Sequence, residues 1–79
     1  MSNAVRYYNL ESAMLRAGVK KNDLAELLNV TRPTIWNKFK GFSEFTLNEA
    51  LKVRDLISER LDEDINLEDL FKSENVTEE

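Results

Sequence analysis

Between Lys21 and Gly41 two short amphipathic runs are separated by only three residues, and no other stretch restricts the fold so strongly. In the first run Leu24, Ala25, Leu27 and Leu28 form an apolar stripe with Asp23 in the first turn, which predicts a helix over 21–28. Asn29 follows where a left-handed residue is wanted, a conformation that Asn tolerates better than any residue except Gly. Thr31 then stands as an N-cap. Pro33 falls in the first turn of the next helix, where its missing N–H does no harm, and Gly41 stops that helix after Lys40. Two helices joined this tightly cross at short range, which needs a small residue such as Ala25 at the crossing and a turn residue that accepts positive φ. Such an arrangement projects the first half of the second helix outward, rigidly, at a width that fits the major groove of DNA.

The flanking sequence predicts three more helices. Asn9 caps a first helix over about 9–17, in which Leu10, Ala13, Met14 and Ala17 follow helical spacing and Gly18 ends the run. After a polar loop over 42–45, Thr46 with Glu49 forms a capping box that opens a fourth helix at Leu47. Leu47, Ala50, Leu51, Val53, Ile57 and Leu61 give its buried side, ending near Leu61. Asn66 with Asp69 is a second capping pair, and Ile65 with Leu70 a hydrophobic staple, for a fifth helix of one or two turns. Residues 72–79 are polar and acidic, with only Val76 able to be buried, and are expected to fray. There is no strand pattern, repeat or linker. The expected architecture is all-α, a compact five-helix bundle containing a helix-turn-helix over 9–71, with an N-terminal segment 1–8 and an acidic flexible tail 72–79. Ser2-Asn3-Ala4 matches the remnant of a cleaved expression tag or, with Met1 ahead of it, a native start.

Seventy-nine residues suffice for one small core, near the lower limit at which a core holds without disulfides or metal. With no cysteine and no histidine, thiolate nucleophiles, imidazole bases and nearly every structural zinc arrangement are excluded. No nucleophile–base set is visible, so neither an enzyme nor a cofactor is expected. Asp62-Glu63-Asp64-Ile65-Asn66 starts like a calcium loop, but Leu67 and Ser73 stand where Gly and Glu are required. No apolar run approaches the roughly 20 residues needed to span a bilayer, and the expected location is cytoplasmic. The net charge of −4, taken as a total, opposes binding to a polyanion. Its distribution removes the objection: residues 1–54 hold nine basic against five acidic residues, and residues 55–79 two against ten. The face presented decides, not the total.

The run Asp23-Leu24-Ala25-Glu26-Leu27-Leu28-Asn29-Val30-Thr31-Arg32-Pro33-Thr34-Ile35 resembles the helix-turn-helix of the Cro and phage-repressor family, also called the xenobiotic-response-element family. The following Trp36 to Gly41 and Glu44 to Leu51 resemble small prophage-encoded regulators of Gram-positive bacteria, and Asn66-Leu67-Glu68-Asp69-Leu70-Phe71 resembles a closing helix common in that family. Asn29 replaces the usual Gly of the turn, Lys20 replaces the Ser or Thr that often caps the second helix, and Lys38 and Phe39 shift the late core contact by one place. The resemblance implies a five-helix domain, commonly dimeric on palindromic operators.

It also implies contacts. Thr31, Arg32, Thr34, Trp36 and Asn37 lie where the family touches bases and nearby phosphates. Arg32 suits guanine and Asn37 adenine, since their planar groups match those base edges, while Trp36 either packs against a thymine methyl or covers the core rim. Lys21 and Lys40 lie where the family clamps the backbone, and Lys38 either joins them or lays its stem along the fourth helix. The expected function is a sequence-specific, double-stranded DNA-binding transcriptional regulator, a repressor of phage type acting as a homodimer on an operator. The alternative is a protein-interaction module, antirepressor or antitoxin-like, using the acidic surface of the fourth and fifth helices.

Overall fold

The computed structural model describes the backbone of residues 2–78 and the side chains of residues 5–74. Helix dominates the described residues, in five segments: α1 (Tyr8–Ala17), α2 (Lys21–Leu28), α3 (Arg32–Lys40), α4 (Leu47–Leu61) and α5 (Leu67–Leu70). Two strands, β1 (Ser2–Arg6) and β2 (Glu74–Glu78), lie at the two ends of the chain.

Local chemistry sets the helix ends. Gly18, Asn29, Gly41 and Asp62 all take left-handed φ values, of 70°, 56°, 87° and 53°. In each case the next N–H returns to a carbonyl five residues back: Val19 to Met14, Val30 to Ala25, Phe42 to Asn37 and Glu63 to Ser58, satisfying carbonyls that the helix leaves unpaired. The Thr46–Glu49 box is complete, the Glu49 N–H donating to Thr46 Oγ1 and the Thr46 N–H to the Glu49 carboxylate, at 3.2 and 3.0 Å. Asn66 Oδ1 accepts from the Asp69 N–H at 2.9 Å. Lacking an acceptor on Lys20, α2 relies on the Asp23 carboxylate, which takes the Lys20 N–H at 2.8 Å.

Asn9 does not cap α1. The helix starts one residue earlier, with Tyr7 at the cap position, and the Asn9 amide donates instead to the Asp69 carbonyl at 2.9 Å, tying α1 to α5.

The core takes one or more fully buried side chains from each of the first four helices: Leu10, Leu24, Ile35, and Val53 with Ile57. Ala25 is buried beside them, the small residue that lets α2 and α3 approach, and Leu70 seals the α5 side. Leu47 departs from expectation at 67% exposed, because it is the first residue of α4, beyond the reach of the other helices. The loop before it is less polar than its position suggests. Phe45 makes edge-to-face contacts with Tyr7, Phe39 and Phe71 at 5.6, 5.5 and 5.2 Å between ring centres, a geometry that aromatic quadrupoles favour.

The chain ends do not fray as expected. β1 and β2 pair antiparallel, with Ser2 opposite Glu78 and Arg6 opposite Glu74. The ladder rests on backbone bonds, so it needs no alternation of apolar residues; Val76's burial lies outside the described side chains. β1 docks on the end of α3, where a Cβ on Gly41 would stand 2.7 Å from Val5 Cγ2. Gly41 therefore both terminates α3 and makes room for the first strand.

Candidate nucleic-acid interface

At about 3.6 residues per turn, Arg32, Trp36 and Lys40 fall on one stripe of α3 with Pro33 and Asn37 beside them. Ile35, Lys38 and Phe39 take the opposite side and are buried. Arg32, Pro33, Asn37 and Lys40 are exposed and Trp36 is half-buried against the core. The helix is therefore held by one face and offers the other.

Trp36 is the centre of that outward face. The Arg32 guanidinium lies over its ring at 5.4 Å, one turn before it, and the Lys21 ammonium reaches across from α2 to 5.5 Å. Lys21 also lies 4.9 Å from the Phe39 ring centre, so its stem bridges the starts of α2 and the body of α3. Such contacts contribute about 0.5–1 kcal/mol each at exposed sites and, more usefully, order long cationic side chains against a flat surface. Among the described residues the ion pairs are Arg6–Glu11, Arg16–Glu63, Lys38–Glu49 and Arg54–Asp55. Lys21, Arg32 and Lys40 appear in none of them. A concave opening of about 470 Å³ beside the α2–α3 turn, lined by Asn22, Glu26, Thr31 and Arg32 among others, leaves the start of α3 approachable from the side as well.

Thr31 and Thr34 are placed differently from the rest. Thr31 occupies the N-cap position of α3 but its side chain makes no capping bond; its hydroxyl and that of Thr34 bond each other at 2.9 Å. The pair stands at the shoulder of the outward face, with Thr34 half-buried.

Lys38 does not join the face. Its side chain is only 9% exposed, and its Nζ donates to the Glu49 carboxylate at 2.9 Å and to the Glu44 carbonyl at 3.0 Å. A buried ammonium is tolerable only when paired, and this one spans from α3 to the loop before α4 and to the first turn of α4. Burial pushes the Glu49 carboxyl up, but the Thr46 N–H and the Lys38 ammonium outweigh that and hold it below the ordinary glutamate value. Tyr7 is pushed up by burial and by the negative charge of Glu44.

Compared with protein-family models, with curated proteins and with solved structures, the chain finds no significant match in any of the three. Its function therefore rests on the residues themselves. Of the eight expected site residues, the fold gathers Lys21, Arg32, Trp36, Asn37 and Lys40 on one surface, sets Thr31 and Thr34 at its edge, and removes Lys38. Sequence reasoning missed Glu44 and Glu49 as the anchors of Lys38; Glu49 was visible only as a capping residue, and nothing in the spacing marks its second partner. Among the described residues no helix is long and apolar enough to cross a membrane, and no three His, Cys, Asp or Glu side chains are grouped to hold a metal ion.

Proposed function

We propose that the protein is a sequence-specific regulator that places α3 in the major groove of double-stranded DNA, acting as a repressor and as a homodimer on a two-fold operator. The observation that carries the reading is the outward face of α3, where Lys21 and Arg32 lie over Trp36, Lys40 follows one turn on, and none of the three takes part in an ion pair among the described residues. Unpaired cations beside a rigid helix suit phosphates, and the planar groups of Arg32 and Asn37 suit base edges. The acidic surplus of residues 55–79 belongs, in this reading, to the side away from the phosphates. A single recognition helix buries little surface, and a two-fold dimer gains affinity by doubling it.

Titration of the protein at low salt against duplex fragments from the DNA flanking its own coding sequence tests the proposal. A specific retarded complex is expected, with Arg32→Ala weakening it by roughly 10- to 100-fold, the value of one bidentate base contact. No specific complex, or one indifferent to Arg32→Ala, overturns it.

A second reading has its own observation. Glu59, Asp62, Asp64, Glu68 and Asp69 are exposed around the α4–α5 junction and take part in no ion pair among the described residues. This acidic surface suits a basic protein partner, as an antirepressor or antitoxin-like module requires. A stoichiometric protein complex formed by a chain that ignores DNA favours it over the first.

A further inference from the structure

We propose, resting on the DNA-binding reading above, that Arg32 and Trp36 act as one unit that reads a guanine together with a methyl-bearing pyrimidine, thymine or 5-methylcytosine, in the adjacent base pair. Arg32 is exposed, one turn before Trp36, with its guanidinium over the indole at 5.4 Å. The indole cannot swing away freely, because it packs against the core on one side and has the Lys21 ammonium at 5.5 Å. Arg32 thus has a fixed plate beside it and keeps its side chain exposed to solvent. When a guanidinium pairs bidentately with guanine O6 and N7, its plane coincides with the plane of that base. A ring centred 5.4 Å from that guanidinium and one helical turn on then comes nearest the neighbouring base pair and not the same one, since successive pairs are about 3.4 Å apart along the duplex. The rim of an indole is carbon except at Nε1, and the part of Trp36 that stays exposed meets whatever the neighbouring pair shows in the major groove.

Only one apolar group is available there, the C5 methyl of thymine or of 5-methylcytosine. Apart from the C5–H of cytosine, which protrudes too little to pack against, every other major-groove edge is a donor or an acceptor, and pressing carbon against it strips its water without returning a hydrogen bond. The guanidinium and the ring consequently recognise adjacent pairs as a set, and neither preference is independent of the other. The same geometry disfavours a free base stacking flat on the indole, since cations already lie over the ring.

The test uses the full chain and a library of duplexes with a randomised central segment, enriched by repeated binding and sequenced. The expected outcome is an enriched guanine with thymine in a neighbouring pair. Replacing that thymine by deoxyuridine, which removes only the methyl, is expected to weaken binding by about fourfold, the loss of one methyl from contact. Trp36→Leu is expected to keep the guanine while losing the response to deoxyuridine. If no sequence is enriched, the DNA-binding reading itself fails. If sequences are enriched but the pairs beside guanine are free to vary, or the thymine-to-uridine change has no effect on the unaltered protein, this proposal fails and the DNA-binding reading stands. Because the uridine arm alters the DNA alone, it decides even if Trp36→Leu does not fold.

Discussion

Lys38 and Lys40 leave the same helix two residues apart and meet opposite fates. Lys38 is buried and clamped between Glu49 and the Glu44 carbonyl, at 2.9 and 3.0 Å. Lys40 is exposed and takes part in no ion pair among the described residues. The difference follows from helical geometry, since a step of two residues carries a side chain more than halfway round the helix. It teaches that charge alone says little about what a lysine does. One side of α3 spends a cation on holding the helix in place, and the other leaves its cations available. The proposed regulator needs both, because a recognition helix reads bases only if its orientation is fixed by the rest of the domain.

The largest effect that can break this contrast is removal of the buried side's anion. Glu49→Ala leaves the Lys38 ammonium buried with a single carbonyl partner and removes the carboxylate half of the capping box of α4, and it is expected to destabilise the fold by about 3 kcal/mol. In a domain of this size that lowers Tm by more than about 10 °C, measurable by thermal denaturation. Lys38→Met is expected to cost much less, about 1 kcal/mol or under, because an apolar chain of similar volume fills the site and Glu49 keeps its Thr46 hydrogen bond. Equal losses in the two variants would mean that the pair is not the latch described.

Gly41 tests the far end of the same helix. Gly41→Ala meets two obstacles, a φ of 87° and a contact of 2.7 Å with Val5, whereas Gly18→Ala meets only a φ of 70° with open space around it. About 1 kcal/mol is expected at Gly18 from backbone strain and about 2 kcal/mol at Gly41, read from urea unfolding. If the two cost the same, the docking of β1 on α3 contributes nothing to stability.

Acidification separates the two sides of α3 without a large structural change. Glu49 has its carboxyl held below the ordinary value in the folded state, so its contribution is fully present above the usual glutamate pKa and is lost as pH falls through the lowered folded value. The stability gap between the native chain and Glu49→Gln is therefore expected to be constant near neutrality and to close in acid. A gap that persists through the acid transition would show that the carboxylate charge is not what holds Lys38.

The limits of what the sequence makes legible follow the same division between local and distant partners. Helices α2, α3 and α4 have the bounds that the sequence implies, since Asn29, Gly41, Thr46 and Glu49 act on backbone groups within five residues of themselves. Asn9 defeats this logic because its partner, the Asp69 carbonyl, lies 60 residues away. The terminal ribbon is equally hidden: Ser-Asn-Ala-Val-Arg and Glu-Asn-Val-Thr-Glu carry no period-two apolar pattern, and each strand's partner is at the other end of the chain. Within the candidate site the outward stripe of Arg32, Trp36, Asn37 and Lys40 is readable from helical spacing. The burial of Lys38 depends on a loop folding back to bring Glu44 and Glu49 beside it, and spacing along one helix cannot show that.

The smallest effect on stability is also the sharpest test of the exposed side. Lys40→Ala removes no ion pair among the described residues and no buried contact, so its unfolding free energy is expected to stay within about 0.5 kcal/mol of the native chain. Its consequence is expected in DNA binding alone. A lysine that contacts phosphate weakens binding to all sequences to a similar degree and lowers the slope of log affinity against log salt by about one. Arg32→Ala, by contrast, relaxes the choice of base. Measured across several salt concentrations and on two duplexes of different sequence, the two variants separate a clamp from a reader. If Lys40→Ala changes sequence preference, or leaves the salt slope untouched, then Lys40 does not serve as the free counterpart of Lys38.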